Sequence, residues 1–342
     1  MPVDACSVPI EINAMKRFKN ILCVVEPLRA CEPAMERAVA LAQNNQAALT
    51  VISVAPHVEL GIGMPDAGPI SPDLQAEVTA SHAKQLESLV QPYLERIRLE
   101  TKVLVGTTPF LEIVREVLRN GRDLVIRIPE HQDWLDRMFG SDDMHLLRKC
   151  PCPVWLIKPQ APKAYRRILA AVDVNDAYPP EEIETRAALN RQILEMASSL
   201  ALADFAELHI MHAWEAVAEG VMRHGIFMTE PDEKVNAYVE QVAQHHAANL
   251  EALLQAVASG QGRDALEYLK PEIHLVKGRA RKEIPALASQ IEADLVVMGT
   301  VARTGVSGFI MGNTAETILN QLDCSVLAIK PPGFVTPVTV ED

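Results

Sequence analysis

The residues best suited to chemistry lie in one late stretch, from Gly299 to Thr314. The apolar run at residues 295–298 reads as a parallel strand covered on both faces, and Gly299 ends it. Gly305, Gly308 and Gly312 punctuate the loop that follows, and Asn313 opens an amphipathic segment. Asn313 with Glu316 three residues on has the spacing of a capping box. Residues 325–329 read as a second buried strand. A glycine-rich loop entering a helix presents unpaired backbone N–H groups and the positive end of the helix dipole, which together suit a phosphate. Arg303 adds charge to that loop, with an arginine facing water as the plain alternative. Asp173 closes another strand pattern at residues 166–173, at the carboxyl edge where α/β sheets bind ligands. A carboxylate that merely turns the chain is the alternative there.

Elsewhere the chemistry is thinner. His209 and His212 stand three apart in a strand pattern, so they point to opposite faces and make a poor metal pair. His245 and His246 fall in a polar helical context and read as a solvated face. None of the six cysteines forms a Cys-x-x-Cys, and they read as buried reduced thiols. Cys150-Pro151-Cys152 as a redox or metal pair is the alternative. No metal site is identified. No Walker A motif, nucleophile elbow or HExxH appears, and no nucleophile is spaced from a base so as to indicate turnover.

These groups need elements to hold them, and the chain supplies the elements twice. The NILCVVE of residues 20–26 matches the RILAAVD of 167–173. Gly106 with Glu112-Ile113 matches Gly278 with Glu283-Ile284, and the DLVI of 123–126 matches the DLVV of 294–297. The CPVWLIK of 152–158 matches the CSVLAIK of 324–330. Each copy is too long for a solenoid unit, so each is expected to be a domain. Copy one takes residues 17–158, with strands near 20–26, 48–55, 101–105, 122–126 and 153–157. Its helices lie near 32–45, 72–97, 108–119 and 141–149. Copy two takes residues 165–333, with strands near 166–173, 206–213, 272–277, 294–298 and 325–329. Extra residues fall near 175–184 and between Trp214 and Lys270. Strands alternating with helices predict α/β folding, with a parallel sheet covered on both faces. Residues 159–164 form a proline-marked linker, residues 334–342 a tail, and residues 1–16 a leader with Met15 as an alternative start.

At 342 residues the length fits about two domains, and 49% apolar content is ample for their cores. A formal charge of −13 argues against wrapping nucleic acid or an anionic membrane. No apolar run approaches the ~18 residues of a membrane span, and no signal peptide is legible, so a cytoplasmic location is expected.

The late motif now gains a context. Gly299, two residues, Ala302, nine residues, Gly312 and Asn313 resembles the nucleotide loop of the universal stress protein family. In that loop Ala302 stands for a second glycine and Asn313 for Ser or Thr. Met298, Ala315-Glu316, Cys324 and the two-copy order also resemble that family, and the tandem members of the E type in particular. The resemblance implies two Rossmann-like domains, each a five-stranded parallel sheet flanked by helices, packed as a pseudo-dimer through their last strands. It implies Ala171 and Val172 as an adenine wall, Asp173 near the adenosine, and the backbone of Ala213 against the base. Met298 and Gly299 then meet the ligand at a strand end, and Gly312, Asn313 and Thr314 form a phosphate cradle. Ala302 would cost about 1 kcal/mol if its backbone were left-handed, whereas Asn313 keeps a side-chain donor. In copy one Ile128 aligns with Gly299, Glu26 replaces the Asp, and Asp142 and Asp143 follow Gly140-Ser141. Those carboxylates occupy the favourable end of a helix dipole and would repel a polyphosphate, so copy one is expected to be a degenerate partner.

The resulting expectation is a stress-response binding or regulatory module, without dedicated turnover, that takes ATP, AMP or another small molecule in copy two. A further homodimer is left open. A slow ATPase switch is one alternative. A carrier of apolar or lipid-like molecules is another, built on the loops of residues 60–64 and 220–228.

Overall fold

The structure, a computed structural model, describes residues 18–58, 72–129, 141–224, 230–259, 263–303 and 310–340, with residues 72–73, 141, 263–264, 301–303 and 310–311 described by their backbone only. The first half runs β1 (Asn20–Val24), α1 (Glu32–Asn45), β2 (Ala48–Pro56), α2 (Pro72–Val90), β3 (Glu100–Gly106), α3 (Pro109–Asn120), β4 (Leu124–Arg127), α4 (Ser141–Lys149) and β5 (Val154–Leu156). The second runs β6 (Arg167–Ala171), α5 (Pro180–Asp204), β7 (Glu207–Trp214), α6 (Glu219–His224), α7 (Asp232–Ala258), α8 (Arg263–Leu269), β8 (Glu272–Lys277), α9 (Ala280–Gln290) and β9 (Leu295–Gly299). It ends with β10 (Val301–Arg303), β11 (Ile310–Met311), α10 (Asn313–Leu319) and β12 (Ser325–Ile329).

The apolar runs become strands of one ten-stranded sheet ordered β3-β2-β1-β4-β5-β12-β9-β6-β7-β8. Within this sheet pairing is parallel throughout each half, and β10 and β11 form a separate antiparallel pair. Between the halves β12 meets β5 antiparallel, with Leu327 opposite Trp155. The two last strands therefore join across an internal pseudo-two-fold, as the repeat predicts. Central strands such as β4, β9 and β12 are buried almost end to end, because helices cover both faces. The outermost strands β3 and β8 are half exposed and carry charges, which suits uncovered edges.

Two helical layers cover the sheet. One core face carries Met35, Leu86, Leu194 and Leu250 from α1, α2, α5 and α7. The other carries Ile113, Leu147, Leu287 and Ile318 from α3, α4, α9 and α10. Each face draws residues from both halves, so the hydrophobic interior is continuous across the junction.

Three expectations change. The helix near 72–97 stops at Val90, and a 3-10 turn over Gln91–Tyr93 replaces its end, since Pro92 cannot donate to an α-helical ladder. The capping box at Asn313 does not form. Gly312 is the N-cap, without a side-chain bond, and Glu316 pairs with Arg148 of the first half at 2.6 Å. The stretch read as a loop at 220–228 begins instead in a helix, α6 over Glu219–His224. The loop of residues 60–64 lies outside the described residues.

Candidate functional site

In each half the strand order reverses between the first and fourth strands, and a parallel sheet opens a crevice at such a point. In the second half this point lies between β6 and β9, where Ala171 pairs with Met298. A cleft of about 1240 Å³ opens there. Ala171, Val172, Asp173, Ala213, Met298, Gly299, Gly312, Asn313 and Thr314 all border it. Ala302 lies within β10 and Arg303 ends it, with side chains outside the described residues. An extended strand is not the left-handed backbone that penalises a Cβ, so the cost considered for Ala302 does not arise.

The chemistry at Asp173 is partly engaged. The Tyr178 hydroxyl donates to its carboxylate at 2.7 Å, the Asn175 N–H donates at 3.2 Å, and the Arg186 guanidinium stands 3.6 Å away. Burial and the neighbouring Asp173 charge push the Tyr178 hydroxyl well above its ordinary range, so it stays a donor. The Arg186 guanidinium stacks 3.5 Å from the Tyr178 ring centre and binds Glu182 at 3.0 Å. Asn190 clamps the backbone, accepting from the Asp173 N–H at 3.1 Å and donating to its carbonyl at 2.7 Å. A carboxylate can accept about four hydrogen bonds, so Asp173, 46% exposed, keeps capacity for a ligand hydroxyl. Gly299 is held as glycine by packing: a Cβ there would come within 2.7 Å of the Leu189 Cδ2 on α5.

The opposite wall corrects the solvated reading of His245-His246. The two rings point to different places. His246 is buried, and its Nδ1 lies 3.0 Å from the Nε2 of buried His212. His212 Nδ1 lies 3.2 Å from the Val172 carbonyl. Burial lowers both histidines below their ordinary range, and each ring's neighbouring imidazole adds to the effect at His246. His245 faces out and meets Asp176 at 2.8 Å. Sequence reasoning missed this wall because the contact of His246 with His212 depends on the fold of α7 over β7. It also missed Arg279 and Arg281, which reach the cleft from the start of α9 just after Gly278. Two basic residues directly after a strand-ending glycine were the available signal.

The first half differs at the same point. Its cleft holds about 400 Å³ and is bordered by Glu26, Arg127 and Ile128. Ile128 stands in the place of Gly299, since Arg127 pairs with Val24 as Met298 pairs with Ala171. Asp143 is not a free repelling charge, as the sequence suggested: it is fully buried, 3.2 Å from the buried Arg127 guanidinium, which also reaches Glu26 at 3.6 Å. An internal ion pair thus fills the space at the head of α4. Ser53 Oγ and His82 Nδ1 stand 3.0 Å apart nearby, but Ser53 is buried and unsuited to attack.

The model of the universal stress protein family matches residues 17–158 and again 164–330. Universal stress protein E of Escherichia coli (strain K12) is 30% identical over 335 residues, 96% of this chain and 99% of that protein. The universal stress protein E homolog of Haemophilus influenzae is 29% identical over 324 residues, 92% of this chain and 98% of the other. Among solved structures, a functionally unknown Pseudomonas aeruginosa PAO1 protein superposes with a TM-score of 0.66 at 26% identity, covering 93% of this chain and 95% of its own. A universal stress protein from Archaeoglobus fulgidus DSM 4304 shares the fold, with a TM-score of 0.56 at 17% identity over 91% of this chain and 98% of its own. With the family model matching twice along it and 96% of its length paired to a relative, the chain belongs to the universal stress protein family.

Proposed function

We propose that this protein is a cytoplasmic stress-response binding module whose second-half cleft takes an adenine nucleotide, without turnover of its own. One observation carries the reading. Residues from four separate stretches, ending β6, β7 and β9 and opening α10, border a single cleft at the topological switch point. Buried Ala171, Val172 and Met298 supply apolar walls for a base. Asp173 offers a carboxylate to ribose hydroxyls, as acidic groups do at other switch points. The backbone of Gly312, Asn313 and Thr314, with Arg279 and Arg281 across the cleft, offers donors and positive charge to phosphates. The first half lacks that room, since the Arg127–Asp143 pair and Ile128 stand in it.

The test is calorimetric titration with ATP. Charge-assisted hydrogen bonds to phosphate contribute about 1.5–3 kcal/mol each, so losing two weakens binding roughly a hundredfold or more. Gly312→Asp adds bulk and like charge at the cradle and is expected to abolish binding, whereas Gly140→Asp in the first half leaves affinity unaltered. Unchanged affinity in a folded Gly312→Asp protein rejects the site. Phosphate release from bound ATP marks the slow switch instead. Absence of ATP binding in the parent favours the second reading, an apolar ligand. That reading has its own support: the cleft continues past the switch point to Trp214, Val217 and Tyr238, toward the additional helices of the second half.

A further inference from the structure

We propose that the outer edge of the second half carries a binding site for a divalent transition metal, zinc(II) in the first instance, formed by His209, His274 and Glu272. The site is remote in chemistry from the cleft and does not rest on nucleotide binding. His209 lies on β7 and faces away from His212, toward the opposite helical layer. Its partner comes from the neighbouring edge strand: in the β7–β8 register His209 stands opposite Glu272 and Met211 opposite His274. Alternation along a strand puts Glu272 and His274 on one face, so both reach the same ring.

The donor atoms converge. His209 Nδ1 lies 3.0 Å from His274 Nε2, and the Glu272 carboxylate approaches them at 3.6 and 3.7 Å. Ligands at ~2.0–2.2 Å from a tetrahedral zinc stand about 3.3–3.6 Å from one another. The observed spacings bracket that range, so the ion enters with small side-chain shifts. Two imidazoles and a carboxylate are a recurring zinc set, with water completing the fourth position.

Two further observations point the same way. His209 Nε2 is buried and has no hydrogen-bond partner among the described residues, and a buried polar atom left in that state calls for a reason. With Nδ1 on a metal, the ring proton must sit on Nε2, and that atom faces the Glu207 carboxylate at 3.9 Å. A carboxylate behind a ligating histidine is the usual second layer of such a site. Glu207 is itself held by Arg167 at 3.2 Å. Both strands belong to the rigid sheet, which suits a preformed site.

The test is zinc chloride titrated into the chelator-stripped full chain, in competition with a chromophoric chelator, with cobalt(II) spectra reporting the geometry. The expected result is one ion per chain with a tetrahedral cobalt spectrum. His274→Ala is expected to weaken zinc binding at least ~100-fold, and Glu207→Gln by about 10–100-fold through the second layer. A Cys150→Ser/Cys152→Ser variant, which removes the other candidate donors, is expected to bind as the parent does. Circular dichroism establishes that each variant is folded. Equal zinc affinity in the parent and His274→Ala, loss of binding in the cysteine variant, or no binding by the parent at about micromolar free zinc each overturns the proposal.

Discussion

The contrast between the two clefts comes down to single residues at one sheet position. Met298 presents an apolar, uncharged side chain at the end of β9, while Arg127 at the end of β4 brings a guanidinium to the same place. Both Arg127 and Asp143 are buried and paired with each other at 3.2 Å. Arg127→Met is therefore expected to destabilise the protein by about 3–5 kcal/mol, because it removes one member of a buried ion pair. Arg127→Met with Asp143→Leu should recover most of that loss, since well-packed apolar groups often replace a buried pair without cost. Urea unfolding of the single and double variants measures the coupling, and equal loss in both would show that the pair is not the cause. Glycine is likewise a packing matter at this scale. A Cβ at Gly106 would overlap the Glu112 side chain, and Gly278 has a φ of +149° that L side chains rarely adopt, so each repeat keeps a glycine ahead of its acidic residue.

At the scale of elements, the halves are fastened by more than the β5–β12 pairing. Arg37 on α1 makes a two-pronged bond to Asp204 at the end of α5, at 3.0 and 2.7 Å, and donates to the Lys163 carbonyl at 2.9 Å. Its guanidinium lies 4.1 Å from the centre of the Tyr165 ring and 5.5 Å from that of Trp155. Asp204 also accepts from the Tyr165 N–H at 2.8 Å. One helix of each half and the connection between them thus meet at a single buried cation. Lys330, after β12, reaches back to the Leu147 carbonyl of α4 and to Thr300 Oγ1. Burial drops the Lys330 pKa to about 8, with nearby Cys150 and Cys152 opposing the shift. Arg37→Met leaves Asp204 uncompensated and is expected to cost about 3–5 kcal/mol. Its melting transition should fall yet stay single, because the sheet still joins the halves. A split into two transitions would show that this contact, not the shared sheet, couples them.

For the whole molecule, the continuous core predicts one cooperative unit, and its histidines predict a pH dependence. His145, His209, His212 and His246 are lowered, burial being the first cause of each. The unfolded chain takes up these protons near pH ~6.5, whereas the folded chain resists them until lower pH. The unfolded state therefore binds more protons in that interval, and stability falls as pH drops below about 6.5. Above it all four rings are neutral in both states and the effect vanishes. Urea midpoints at about pH 7.5 and 5.5 should show this loss, and His212→Leu should reduce the pH slope. A slope unchanged by His212→Leu would remove that residue from the account. Among the described residues no helix is long and apolar enough to cross a membrane.

The repeat, the strands and the helical order were legible in the sequence because parallel strands buried on both faces leave unbroken apolar runs. The runs at 295–298 and 325–329 became β9 and β12 for that reason. The residues at strand ends were legible too, since chain order alone places Asp173 and Met298 at carboxyl edges. Local appearance failed where contacts came from distant segments. Asp143 looked like a repelling surface charge until Arg127, on another element, was brought against it. His246 looked solvated until α7 folded over β7 and turned it onto His212. His209 had no visible partner, because His274 lies 65 residues later and meets it only through the pairing of β7 with β8. Sequence periodicity fixes which face a side chain takes, but only strand pairing and helix packing decide what it meets there, and that decides its charge and chemistry.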